Sequence, residues 1–157
     1  VRNQVCGIDP GPREFAWVVW DGSQVVRCGD APNCDYRLLP LIGPCREVAV
    51  EWIESFGMAV GREVFETVFS IGRMAMLTDV RLVPRRDVKL HICGSPRAKD
   101  GNIRQALIDR FGPVGTKKAP GPLWGISKHR WAALAVAVTA FDLEHTEHEA
   151  TFHRDCG

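Results

Sequence analysis

No run of apolar residues in this chain approaches the ~18 needed to cross a membrane, and no signal-peptide pattern opens it at Val1. Net charge is nearly absent as well, at +1. A chain so balanced carries no global field for a polyanion, so any nucleic-acid contact has to come from local patches. The six cysteines, at 6, 28, 34, 45, 93 and 156, contain no Cys-x-x-Cys pair, and at least two lie inside apolar, strand-like runs. Reduced thiols of a cytoplasmic protein are expected rather than a disulfide framework. Internal repeats and low-complexity stretches are missing too. With 157 residues, 45% of them apolar, the chain reads as one globular domain with a single sizeable core.

The stretch VCGIDPGPREFAWVVWDG, residues 5–22, sets the first problem. Val5, Cys6 and Ile8 read as a buried strand that ends on Asp9, and Pro10-Gly11 stops it. Phe15 to Trp20 is a second strand, Asp21-Gly22 a hairpin signal, and Gln24 to Arg27 a third strand. Asp9 thus stands at the carboxyl end of a central strand, where a carboxylate is costly to bury unless a cation meets it. From pattern alone it is a turn-capping residue, a metal ligand or part of a phosphate loop.

Residues 28–47 read as a Pro/Gly/Cys-rich connection, and EVAVEW as a fourth strand whose Glu51 again puts an acid at a strand end. Over 61–79, Val64, Phe65, Val68, Ile71, Met74 and Met76-Leu77 recur at helical spacing. VRLVP is a short strand, 85–92 a brief helix closed by Gly94, and KDGNIRQALIDRFG an amphipathic helix stopped by Gly112. Residues 113–127 form a Pro/Gly loop. SKHRWAALAVAVTAFDLE is an Ala-rich helix, apolar nearly all round, with Ser127 as its N-cap. His145, His148, His153 and Cys156 match no established zinc spacing, so 144–157 reads as a polar tail after a domain spanning 1–143. A meander followed by alternating strands and helices implies a mixed α/β sheet with helices packed on it.

If the strands ending on Asp9 and Glu51 are parallel neighbours, two carboxylates meet at one edge. They repel unless divalent cations sit between them, and such an arrangement suits phosphodiester hydrolysis. Here GIDPG, VAVE, VGREVFETVFSIGRM, VKLHICGSPRAKDGNIRQALIDRFG and HRWAALAVAV, in that order, resemble the RuvC-type Holliday-junction resolvases of the ribonuclease H-like superfamily, above all their phage-borne branch. The resemblance covers roughly residues 4–142.

It implies an α/β, ribonuclease H-like fold: a mixed five-stranded sheet, an antiparallel three-strand meander followed by parallel strands, flanked by helices. It also implies a Mg²⁺- or Mn²⁺-dependent endonuclease that cleaves four-way junctions and related branched DNA as a homodimer in the cytoplasm, that of a bacterial host if the chain is phage-encoded. Asp9 and Glu51 match the family's first two carboxylates and His129 matches the third ligand position, so these three are the expected catalytic and metal-binding residues. Ala132 stands where the family carries a further carboxylate. Phosphate contacts are expected from Arg97 and Lys99, Lys117 and Lys118, and Lys128 and Arg130, with Arg85 and Arg86 weaker candidates. Trp124 is read as a core anchor of its loop, with base stacking as the alternative. Other readings remain open: a ribonuclease H-like nuclease acting on RNA or unbranched DNA, and a branched-DNA-binding relative impaired in catalysis. An actin-like or sugar-kinase ATPase shares the first strand motif, but 157 residues are too few for its two domains.

Overall fold

Val5–Pro10 (β1), Glu14–Trp20 (β2) and Val25–Pro32 (β3) form the antiparallel meander expected from the two turn signals. The structure, a computed structural model, describes residues 3–35, 38–55 and 57–154. At the β2–β3 turn the Asp21 carboxylate accepts hydrogen bonds from the backbone N–H groups of Ser23 and Gln24, both at 2.9 Å. Gly22 takes a φ of +99° there, a conformation that L side chains rarely adopt. β3 runs on to Pro32, through residues assigned by sequence to the connection. Its partner decides this: β2 offers a free edge as far as Glu14, which pairs with Pro32.

The short helix Leu39–Ile42 (α1) leads to Glu47–Trp52 (β4), which lies parallel to β1. Helix Arg62–Ala75 (α2) follows, then Arg81–Pro84 (β5), parallel to β4. Arg85–Cys93 (α3), Asp100–Phe111 (α4) and Arg130–Arg154 (α5) complete the fold. The sheet order is β3-β2-β1-β4-β5, the mixed five-stranded arrangement expected. Gly94 closes α3 at φ +68°, its N–H donating to the Leu90 carbonyl at 2.8 Å, so the stop read from sequence is a left-handed cap. α5 continues to Arg154, past the point where sequence ends the helix. The side chains of His145, His148 and His153, and Cys156 altogether, lie outside the described residues. No described helix is long and apolar enough to cross a membrane.

Strand alternation sorts the core into two halves. Val5, Ala16, Val18, Trp20, Ala49 and Val83 face α3, α4 and α5; Cys6, Ile8, Phe15, Trp17, Val19, Val48 and Val50 face α1 and α2. α5 is buried on every side from Ala133 to Ala140, which explains an apolar sequence without a polar stripe. α2 buries Thr67, Ser70, Ile71 and Met74 and turns Phe65 and Phe69 outward, at 65% and 69% exposure. The hydroxyl of Thr67 is accommodated by donating to the Glu63 carbonyl at 2.8 Å.

The tightest contact lies between β1 and α5. A Cβ at Gly7 would stand 2.2 Å from the carbonyl oxygen of Ala133 and 2.5 Å from the backbone N of Ala137. Both are helix backbone and cannot swing aside, so α5 rests on β1 only because position 7 lacks a side chain. Gly7→Ala is therefore expected to cost about 3 kcal/mol or to prevent folding. Gly72→Ala, with nothing within 4 Å of its added methyl, should gain up to about 1 kcal/mol. Chemical denaturation of the two variants checks this; equal stabilities would place the helix–strand contact elsewhere.

Candidate active site

Register brings the two acidic strand ends together. Ile8 pairs with Val50 across parallel β1 and β4, so Asp9 and Glu51 are the next residues on neighbouring strands. The alternation that puts Gly7 and Ala49 under α5 puts both carboxylates on the same face. Their side chains are only 15% and 9% exposed. α5 then supplies the third residue. His129 immediately precedes its first residue, and the His129 carbonyl accepts from the N–H groups of Ala132 and Ala133. The His129 ring Nδ1 lies 3.3 Å from Asp9 Oδ2, while most of the ring is open to solvent. The turn into the helix passes through Lys128 at φ +48°, an uncommon conformation for a non-glycine residue.

The structure adds two residues to the site: Arg85, which sequence offered only as a weaker phosphate contact, and Asp100, which it passed over. Arg85, the first residue of α3, places Nη1 3.1 and 3.4 Å from the two oxygens of Glu51, and its Nη2 bonds the carboxylate of Asp100 at the start of α4. A signal for Arg85 existed: β5 pairs with β4 with Val83 opposite Glu51, so Arg85, two residues on, falls on the same face just past the strand end. Asp100 had no such signal, because its position depends on how α4 folds back over α3.

Burial dominates the protonation of the pair. It raises the Glu51 carboxyl to about 7; Arg85 opposes the rise and Asp9 adds to it. Asp9 is also raised by burial, with Glu51, His129 and Arg85 pulling the other way. Asp9, Glu51, Asp100 and His129 line one cleft of about 890 Å³, together with Arg13, Arg85, Lys128 and Ala132. Six carboxylates line it (Asp9, Glu14, Asp30, Glu51, Glu63 and Asp100) against three cationic side chains. Two crowded carboxylates with an imidazole beside them are a donor set for a hard or borderline divalent cation, and the negative lining favours one. Asp9, Glu51 and His129 therefore fit a Mg²⁺ or Mn²⁺ ion as donors. Among the described residues, however, no three such side chains already converge tightly enough to grip an ion, and Arg85 provides the nearest positive charge to Glu51.

The expected phosphate-contacting residues separate into two groups. Lys117 and Lys118 are exposed at the tip of a tight turn closed by reciprocal backbone bonds between Thr116 and Ala119. Arg97 and Lys99 are exposed just before α4, and Lys128 lines the cleft. Arg130 differs. Its guanidinium donates to the Gly125 carbonyl at 2.9 Å and to Asp30 at 2.6 Å, which ties the loop and β3 to the start of α5. Its guanidinium is thus engaged within the fold. The reading of Trp124 as a core anchor is corrected: it is 43% exposed, and Leu123 and Ile126 anchor the loop instead.

No protein-family model matches the sequence, and no curated protein matches it in sequence. Solved structures do match it in shape, two of RuvC among them. A Thermus thermophilus RuvC structure superposes with a TM-score of 0.62 at 20% identity, covering 91% of this chain and 96% of that one. The T. thermophilus RuvC in complex with a Holliday junction substrate superposes with a TM-score of 0.66 at 21% identity, with the same coverage. The chain shares its fold with these RuvC structures over nearly its whole length.

The raised Glu51 carboxyl has a consequence for stability. In the unfolded chain it loses its proton near 4.5 and in the native state near 7, so the native protein binds more protons between those values. Stability of the chelator-treated protein should accordingly fall as pH rises from 4.5 to 7, by on the order of 3 kcal/mol. Glu51→Gln should flatten that slope. Urea denaturation across the range is the check, and a wild-type slope equal to that of the variant would contradict the burial-driven shift.

Proposed function

We propose that the chain is a divalent-metal-dependent, structure-selective DNA endonuclease that cleaves four-way junctions, with other branched DNA as further substrates. The observation that carries this reading is the buried Asp9–Glu51 pair, set beside His129 in a negatively lined cleft of a RuvC fold. Such a cleft repels phosphate on its own, so a polyanionic substrate and this lining are compatible only with added cations.

Bound Mg²⁺ or Mn²⁺ would supply Lewis acidity at the scissile phosphate and lower the pKa of an attacking water. Asp9 and Glu51 would hold it, with His129 as a nitrogen donor or as a proton acceptor beside Asp9. A nitrogen donor suits Mn²⁺ better than Mg²⁺. The chain's other contribution is positioning. Lys128 at the cleft wall, Arg97 and Lys99 before α4, and the Lys117-Lys118 turn are free to meet the sugar-phosphate backbone, leaving Arg130 to the fold.

A binding-only relative is the reading that Ala132 favours, because one turn beyond His129 the cleft wall carries a methyl group where a carboxylate would complete the ligand set. Asp9→Asn and Glu51→Gln separate the two readings. Each is expected to abolish cleavage of a synthetic four-way junction in Mn²⁺, by at least about 10²-fold, while junction affinity changes less than about threefold. Near-wild-type turnover by either variant would place the catalytic centre elsewhere. A wild-type protein that binds the junction without cutting it would establish the binding-only relative.

Symmetric incision of a four-way junction calls for two active sites related by a two-fold axis. The outward Phe65 and Phe69 on α2, with Met76 beyond them, give a surface suited to a second copy. The paired change Phe65→Asp and Phe69→Asp should therefore convert a micromolar dimer to a monomer in sedimentation velocity, with the melting temperature kept within a few degrees. A wild-type protein that is monomeric both free and on junction DNA would overturn the dimer.

A further inference from the structure

Arg85 reaches two carboxylates of unlike surroundings. Its Nη1 faces both oxygens of Glu51, whose side chain is nearly buried, and its Nη2 meets Asp100, whose side chain is 80% exposed. The guanidinium thus has a buried hold and an outer hold at once. It directly follows β5, whose pairing with β4 sets Val83 opposite Glu51 and Pro84 opposite Trp52, so it stays beside Glu51 whichever hold it uses. Around it the charge is unbalanced: Asp9, Glu51 and Asp100 carry three carboxylates, and Arg85 is the cation bonded to two of them.

A carboxylate whose two oxygens both face a guanidinium nitrogen has part of its acceptor capacity taken, and the guanidinium repels any cation that approaches. We propose that Arg85 is a positioning residue that occupies Glu51 in competition with the divalent cation, and that Asp100 is the tether that keeps the guanidinium at the cleft when Glu51 is given up. This rests on the metal-dependent reading above and gives that site a cation-responsive part. Without a cation, Arg85 holds Glu51 beside Asp9 and offsets their repulsion. With one bound, Arg85 is held by Asp100 alone, and its freed Nη1 faces the cleft where a phosphate would lie. No bond is made or broken in this exchange; one ion pair replaces another.

The test is Mn²⁺ binding to the full-length protein without DNA, measured by electron paramagnetic resonance of free Mn²⁺ at fixed pH. Arg85→Gln removes the competing charge and should bind Mn²⁺ about tenfold more tightly than wild type. Arg85→Lys keeps the charge beside Glu51 but cannot span both carboxylates, and should bind no more tightly than wild type. Asp100→Asn should weaken binding severalfold when Arg85 is present and change it less than about twofold in the Arg85→Gln background, since the tether acts through Arg85. Unchanged or weaker binding by Arg85→Gln would overturn the competition. Equal weakening by Asp100→Asn in both backgrounds would make Asp100 a ligand and overturn the tether.

A second measurement needs no variant to fold. On titrating Mg²⁺ into the wild-type protein, the Arg85 side-chain Nε–Hε resonance should shift and its hydrogen exchange accelerate, and an unmoved resonance at saturation would contradict the exchange of partners. Failure of the parent reading looks different: neither wild type nor Arg85→Gln would bind Mn²⁺ at millimolar concentration, which overturns the metal site and this inference together.

Discussion

Helix α5 sits on β1 at a distance that only glycine allows, and the placement of the candidate site follows from that seat. With Gly7 against the backbone of Ala133 and Ala137, the helix axis is fixed over the central strand. Its first turn is then fixed over the strand's carboxyl end, where Asp9 lies two residues on. His129 reaches Asp9 because the helix begins there, and Arg130 braces that beginning by bonding Asp30 of β3 and the Gly125 carbonyl. A larger residue at position 7 would lift the helix and take the imidazole away from the carboxylate. The packing requirement and the chemical one are met by the same contact.

The carboxylate pair shows the opposite tendency, a local arrangement that opposes stability. Parallel pairing in register brings Asp9 and Glu51 side by side, and burial under α5 denies them water. Most of a fold avoids such an arrangement, and where it occurs the cost is accepted for what the groups do. Arg85 and His129 offset part of it in the structure as it stands. The remainder leaves the cleft attractive to small cations and repellent to phosphate.

Much of this was legible in the sequence because it is carried by strand alternation. An acid at the end of an apolar strand can be read off directly, and two such strands in one parallel sheet bring their ends together. Turn chemistry was equally legible, in Asp21-Gly22 and in the Gly94 cap. What was not legible depends on partners distant in the chain. The Cys28–Pro32 half of β3 has the composition of a turn and becomes strand only because β2 has an edge to fill. Periodicity located α2 without saying which face turns inward, and the buried face proved to be the one bearing Thr67 and Ser70. The Arg85–Asp100 bond joins residues fifteen positions apart whose meeting depends on the angle between α3 and α4. Trp124 misled because its neighbours Leu123 and Ile126 fill the core position a tryptophan would have taken.

The central claim is that this fold, with these three donors, cuts branched DNA with the help of a divalent cation. Incubating the wild-type protein with a synthetic four-way junction and with a linear duplex of the same arm sequence, in Mn²⁺, in Mg²⁺ and in chelator, tests it most directly. The expected result is paired incision of the junction in either metal, none in chelator, and a linear duplex left intact. Equal cleavage of both substrates, or junction cleavage that survives the chelator, would contradict the account.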